Sequence, residues 1–189
     1  MKREIRVIGI DDAPYNFEEK ECLLIGVVCR GKEYVDGVLS SKITVDGKDA
    51  TEKIGEMVKY CKFYDQLKCV FLDGITYAGF NIVDLERLNE IVNIPIIAII
   101  KQKPNVEKFF KAMKRLEDWN NLEKIAKKAG KIYEVETKGK IYFQFKGCLL
   151  EEAKELIKKS VSRSSIPECL RIAHLIGKGI VYGESGRGR

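Results

Sequence analysis

Apolar residues in this chain gather into short runs, and two of them stop on a carboxylate: Val7-Ile-Gly-Ile-Asp11 and Cys69-Val-Phe-Leu-Asp73. Both are rich in β-branched or aromatic side chains and too short for a helix, so each predicts a strand with an aspartate at its end. Residues 21–29 have strand composition and strand length. Arg30-Gly31-Lys32 reads as a hairpin turn, and a third strand over 34–45 returns antiparallel. Helical spacing begins near Asp49, where Ile54, Met57, Val58 and Cys61 make one apolar face. Asp49 or Thr51 is placed to cap its first turn.

After Asp73 the pattern predicts a loop over 74–81, a helix over 82–92 and a strand over 94–100 that delivers Lys101, a unit expected to be parallel. Two or three helices fill 106–129, a hairpin spans 131–145, and closing helices occupy 149–160 and 167–176, with Pro167 in the first turn of the last. Three antiparallel strands followed by parallel strand-helix units describe an α/β fold, a mixed sheet flanked by helices, on the ribonuclease-H-like plan. In that plan the first and fourth strands are neighbours, which would bring Asp11 and Asp73 together. Residues 1–182 read as a single domain, and the glycine-rich, basic stretch 183–189 reads as a mobile tail.

Composition changes this picture in three ways. The 189 residues, 45% hydrophobic, suffice for one full core. Thirty-four Lys and Arg against 28 Asp and Glu leave a formal charge of +6, which favours a polyanionic partner. Much of the basic excess falls in the last third, including Lys127, Lys128, Lys131, Lys140, Lys154, Lys159, Arg163 and Arg171, as a nucleic-acid face or as ordinary solvated helix faces. The six cysteines show no Cys-x-x-Cys spacing, which argues against a zinc site or a disulfide framework. The N-terminus lacks a signal-peptide core and no apolar run is long enough for a bilayer, so the expected location is cytoplasmic.

The candidate chemistry rests on Asp11, Asp73 and the single histidine, His174. Two carboxylates side by side near the core repel, and a cation or basic partner compensates. Mg2+ suits such a pair, because it takes a few carboxylate oxygens and keeps waters that a phosphate can replace; Mn2+ can substitute. The plainer alternatives are strand-terminating or capping aspartates and a neutral core histidine.

Several segments resemble endonuclease V, and the whole chain resembles its archaeal relative, the endonuclease dU family. Val7-Ile-Gly-Ile-Asp11 is similar to a Gly-hydrophobic-Asp strand end, and Val70-Phe-Leu-Asp73-Gly74 to a Val-Phe-Asp-Gly motif. Pro95-Ile-Ile-Ala-Ile-Ile-Lys101 resembles a strand that delivers a family lysine, and Ile141-Tyr-Phe-Gln-Phe-Lys-Gly147 a late strand and glycine. Ile166-Pro-Glu-Cys-Leu-Arg-Ile-Ala-His174 resembles a closing Ile-Pro-Glu-Pro-Thr-Arg-Leu-Ala-His segment. The resemblance implies a ribonuclease-H-like fold and an Mg2+-dependent endonuclease on damaged DNA, with inosine recognised by endonuclease V and deoxyuridine by the relative. It implies metal-binding carboxylates at Asp11, Asp49 and Asp73, with Glu52 in reserve for Asp49, where endonuclease V has a glutamate. Lys101 would meet phosphate, and His174 would act at the metal or the attacking water. Two ions about 4 Å apart would serve the attacking and leaving oxygens. The Tyr-Ile-Pro-Gly wedge of endonuclease V has no counterpart, so Tyr77, Phe80 and Asn81 become candidates for holding a base, with core packing as the alternative for Phe80, and Arg171 a further nucleic-acid contact.

Other classes fit less well. A phospho-accepting receiver domain would need a helix directly after Asp11-Asp12, where a strand is expected, and a haloacid-type phosphatase would need a second aspartate where Ala13 stands. A non-catalytic nucleic-acid-binding module with a structural ion remains the alternative function.

Overall fold

The structure, a computed structural model, describes residues 5–16 and 18–186. A seven-stranded sheet runs through the molecule. Its first four strands are β1 (Arg6–Asp12), β2 (Glu21–Arg30), β3 (Tyr34–Thr44) and β4 (Leu67–Asp73). A two-residue pair, β5 (Thr76–Tyr77) and β6 (Asn81–Ile82), stands apart, and β7 (Ile96–Ile100), β8 (Tyr133–Glu136) and β9 (Lys140–Lys146) complete the sheet. Its order is β3-β2-β1-β4-β7-β9-β8. β4 is parallel to both β1 and β7, and the remaining pairings are antiparallel. This is the mixed, ribonuclease-H-like sheet that the pattern predicts.

The period of two along each strand decides what faces where. Ile8 and Ile10 of β1 and Val70 and Leu72 of β4 are fully buried on one face. They pack there under α1 (Ala50–Lys59) and α2 (Leu85–Val92). Val7 of β1 and Cys69 and Phe71 of β4 belong to the other face, under α5 (Leu150–Ser160) and α6 (Glu168–Tyr182). Asp11 and Asp73 share the parity of this second set, and each follows by one residue the paired Ile10 and Leu72. A smaller apolar cluster joins Ile82 to α3 (Val106–Met113) and α4 (Trp119–Lys128) at the carboxyl ends of the parallel strands.

Two boundaries differ from the sequence expectation by more than two residues. The helix expected from residue 82 starts at Leu85, because Asn81 and Ile82 pair with Thr76 and Tyr77. Asp84 then caps the helix by accepting from the Glu86 and Arg87 amides. The last helix runs past 176 to Tyr182 and stops where Gly183 adopts φ +79°. Of the expected mobile tail, residues 187–189 lie outside the described residues. All six cysteines are free thiols.

Candidate metal centre

Glycine sets the geometry of the centre. A Cβ on Gly9 would lie 2.6 Å from the Cys169 carbonyl carbon and the Leu170 nitrogen. Only glycine therefore lets α6 lie directly on β1. Toward the other end of the helix, a Cβ on Gly177 would come within 3.1 Å of the Ala13 Cα. Between these two close approaches, His174 meets the end of β1, with Nδ1 3.0 Å from Asp11 Oδ2. With its proton on Nδ1, the imidazole donates to the carboxylate and keeps Nε2 for a ligand or a proton.

Asp11 is 4% exposed. Its second oxygen accepts from the Asp12 amide at 3.0 Å. Burial raises its pKa above the usual carboxylate range, and the hydrogen bond from His174 works against that rise while the Asp73 charge adds to it. Asp73 accepts from Lys101 Nζ at 2.8 Å. The carboxylates of Asp11 and Asp73 and the His174 ring each offer a ligand atom, all within 4.8 Å of one another. They open onto a shallow cavity of about 360 Å³ that Asp12, Pro14 and Tyr15 also line. Two hard oxygen donors with one imidazole suit a Mg2+- or Mn2+-sized ion that keeps several waters. Lys101 supplies positive charge that offsets the paired carboxylates.

Other candidate residues stand elsewhere, each for a visible reason. Asp49 is turned away from the centre. Its oxygens accept from the Thr44 amide at 3.1 and 3.2 Å, from the Thr44 hydroxyl at 3.0 Å and from Asn81 Nδ2 at 2.6 Å. Burial acts to raise its pKa, but the hydrogen bonds from Asn81 and Thr44 together hold it below the usual value. Glu52 pairs with Arg87 on the helix surface. Neither Asp49 nor Thr51 caps α1: the Ala50 amide donates to Asn81 Oδ1, and the Thr51 hydroxyl accepts from the Asp84 amide. Asn81, fully buried, is thus a brace between β3 and α1 and has no edge free for a base.

Tyr77 is also fully buried. Its hydroxyl donates to the Ile10 carbonyl at 2.8 Å and accepts from the Asp73 amide at 3.1 Å. It ties together the strand ends that carry the two carboxylates and has no face for stacking. Phe80 packs in the α3–α4 cluster, with its ring 6.0 Å from Phe109. Arg171 is bound through both of its ends to Glu168 one turn back. Much of the basic last third is paired in the same way, as in Lys127 with Glu123, Lys154 with Glu151 and Lys159 with Glu155.

The sequence reading missed Asp12. Its carboxylate accepts from the Ala78 amide at 2.7 Å, and the Ala78 carbonyl accepts from Asp46. Together they hold Ala78 at φ +41°, which fixes the turn that carries Tyr77. Burial pushes the Asp12 carboxyl up to about 6. The adjacent Asp11-Asp12 pair was its signal, with opposite parities sending the two side chains to different faces.

Comparison with known proteins gives the chain a family and a shared fold. The family model for endonuclease dU matches residues 3–181. This chain belongs to the endonuclease dU family. A UPF0215 protein of Methanothermobacter thermautotrophicus is 43% identical over 187 residues, covering 98% of this chain and 92% of that one. A crystal structure of an Archaeoglobus fulgidus protein of unknown function superposes with a TM-score of 0.85 at 40% identity, over 95% of this chain and 99% of the other. Ciona intestinalis endonuclease V, solved with a 24mer DNA containing an inosine followed by a ribo-adenosine, superposes with a TM-score of 0.57. At 16% identity, over 90% of this chain and 82% of that one, this shows a shared fold. Endonuclease dU membership and this fold together make the chain nuclease-like. Among the described residues, no helix is long and apolar enough to cross a membrane.

Proposed function

We propose that this endonuclease dU family member is a metal-dependent endonuclease that cuts a DNA phosphodiester near a deaminated base, deoxyuridine above all, as a cytoplasmic DNA-repair enzyme. The observation that carries the reading is the convergence of Asp11, Asp73 and His174 at the ends of two adjacent parallel strands. The two carboxylates repel, and a bound cation would add to the compensation that Lys101 and His174 already give.

In this reading Asp11 and Asp73 hold Mg2+, with Mn2+ able to replace it. The bound ion supplies an acidified water and neutralises charge on the phosphate. Asp11 fixes the His174 ring, which accepts a proton from the attacking water or passes one to the leaving oxygen. Lys101, partly exposed and resting on Asp73, is within reach of a phosphate oxygen that enters beside that carboxylate. Asp49, with its oxygens occupied by Thr44 and Asn81, is left out of the metal set.

The test is cleavage of labelled oligonucleotides bearing uracil, inosine, xanthine or no lesion, with Mg2+ or Mn2+, by wild type and Asp73→Asn. Metal-dependent cutting at the lesion, lost in Asp73→Asn, is the expected result. Binding without cutting under every condition would replace this reading with a non-catalytic nucleic-acid-binding module.

A further inference from the structure

With Tyr77 and Asn81 buried, a base drawn out of the strand needs another place to go. The carboxyl ends of β4 and β7 provide one. Beside Gly74, which follows Asp73, and Ile100, which precedes Lys101, opens a cavity of about 480 Å³. That falls within the range of small-molecule clefts, about 300–1,000 Å³. Ile75, Ile100, Phe109 and Phe110 supply apolar walls, and Lys127 stands at the cavity with its ammonium 5.7 Å from the Phe110 ring centroid. Gly74 sits at φ +80° with open space where a Cβ would be, so a ligand can approach the backbone between the cavity and Asp73. Charge suits a nucleic acid here, because Lys108 and Lys111 of α3 and Lys124 of α4 are exposed.

Thr76, Asn105, Lys127 and Gln144 are the polar residues in the cavity lining, and of these Gln144 is the buried one, reaching it from the seven-stranded sheet. Gln144 of β9, 5% exposed, donates from Nε2 to the Gly130 carbonyl at 2.7 Å. A carbonyl can only accept, so the amide orientation is fixed by chemistry: nitrogen toward Gly130, oxygen free. Among the described residues no donor meets that oxygen, and it is not sealed from solvent either. A fixed acceptor in an apolar slot selects a ring that carries an N–H. Deamination creates that group, because uracil has N3–H where cytosine has a bare N3, and hypoxanthine has N1–H where adenine has a bare N1. Cytosine would set its N3 lone pair against the Gln144 oxygen, which is the mismatch that polar sites reject most strongly.

We propose that this cavity receives the extruded deaminated base, and that Gln144 discriminates it from the parent base by accepting the ring N–H. The assignment rests on the endonuclease reading for its substrate. Gln144 is a specificity residue and takes no part in bond breaking.

The test uses the full chain and short single-stranded oligonucleotides that differ at one position: uracil, cytosine or N3-methyluracil. Binding is measured in EDTA, so that no cutting is required. The Gln144 side-chain amide is followed by NMR in the same samples, and cleavage with Mg2+ is measured separately. Wild type is expected to prefer uracil over both other bases, with the Gln144 amide signal moving for uracil alone. Gln144→Leu, close in volume, is expected to reduce the uracil preference roughly ten-fold. It should fold, since Gly130 is an exposed residue whose carbonyl can turn to water. An unmoved Gln144 signal, or a Gln144→Leu protein that keeps the full preference, would overturn the pocket even if uracil DNA is cut. Selective uracil binding that depends on Gln144, with no cutting by any protein, would keep the pocket and remove the nuclease.

Discussion

The Tyr77 hydroxyl bridges β1 and β4 just where their carboxylates emerge, and removing it would take this hydrogen bond from both the Ile10 carbonyl and the Asp73 amide. Tyr77→Phe should lose about 1–3 kcal/mol of stability in urea unfolding. It should also slow cleavage through a displaced Asp73, while an Mg2+-free fold remains measurable by circular dichroism. Asp49 gives a pH signature of a different kind. Its pKa lies below that of the unfolded chain, so the stability it contributes is present above the unfolded value near 3.8 and is lost as pH falls through the lower, folded one. Asp49→Asn should therefore unfold more easily than wild type at neutral pH, by about 1 kcal/mol, and match it in strong acid. The same variant should still cleave, because the carboxylate braces β3 against Asn81 and does not face the metal centre. Equal stability with abolished cleavage would place Asp49 among the metal ligands instead.

At the scale of elements, α6 matters most, because it brings a histidine 163 residues distant in sequence onto Asp11. Gly9→Ala would drive a Cβ into helix backbone, which has no rotamer to yield. Overpacking of this sort costs about 1–3 kcal/mol. Gly9→Ala should accordingly lower Tm and reduce cleavage more than Tyr77→Phe does at equal loss of stability, as His174 moves off Asp11. These elements also show where sequence reasoning reaches its limit. Strands β1, β2, β3, β4 and β7 follow from apolar runs that are local in sequence, and the adjacency of Asp11 and Asp73 from the ribonuclease-H-like plan that this run of strands suggests. The roles of Tyr77, Asn81 and Asp49 depend on partners 32 to 67 residues away, and their polar side chains look equally suited to a ligand. Nothing local says that Asn81 caps a helix 31 residues before it. Ile82 carries apolar-helix spacing, but its pairing with Thr76 of β5 outweighs it.

For the whole molecule, a net charge of +6 and the exposed lysines of α3 and α4 predict binding to single-stranded nucleic acid that weakens steeply with salt. With roughly four phosphates engaged, at about 0.7 per phosphate in the log-log slope, the affinity should fall more than ten-fold between about 50 and 200 mM salt. Filter binding in EDTA at several salt concentrations measures the slope, and a flat dependence would deny the lysines any contact with phosphate. Everything proposed for the whole molecule depends on Asp11, Asp73 and His174 forming a divalent-cation centre on this fold. Calorimetric titration with Mn2+ tests it most directly, on wild type and on the Asp11→Asn, Asp73→Asn and Asp49→Asn variants. Binding by wild type and Asp49→Asn, weakened at least ten-fold in Asp11→Asn and Asp73→Asn, is the predicted result. Binding that survives in Asp73→Asn, or disappears in Asp49→Asn with the fold intact, would contradict it.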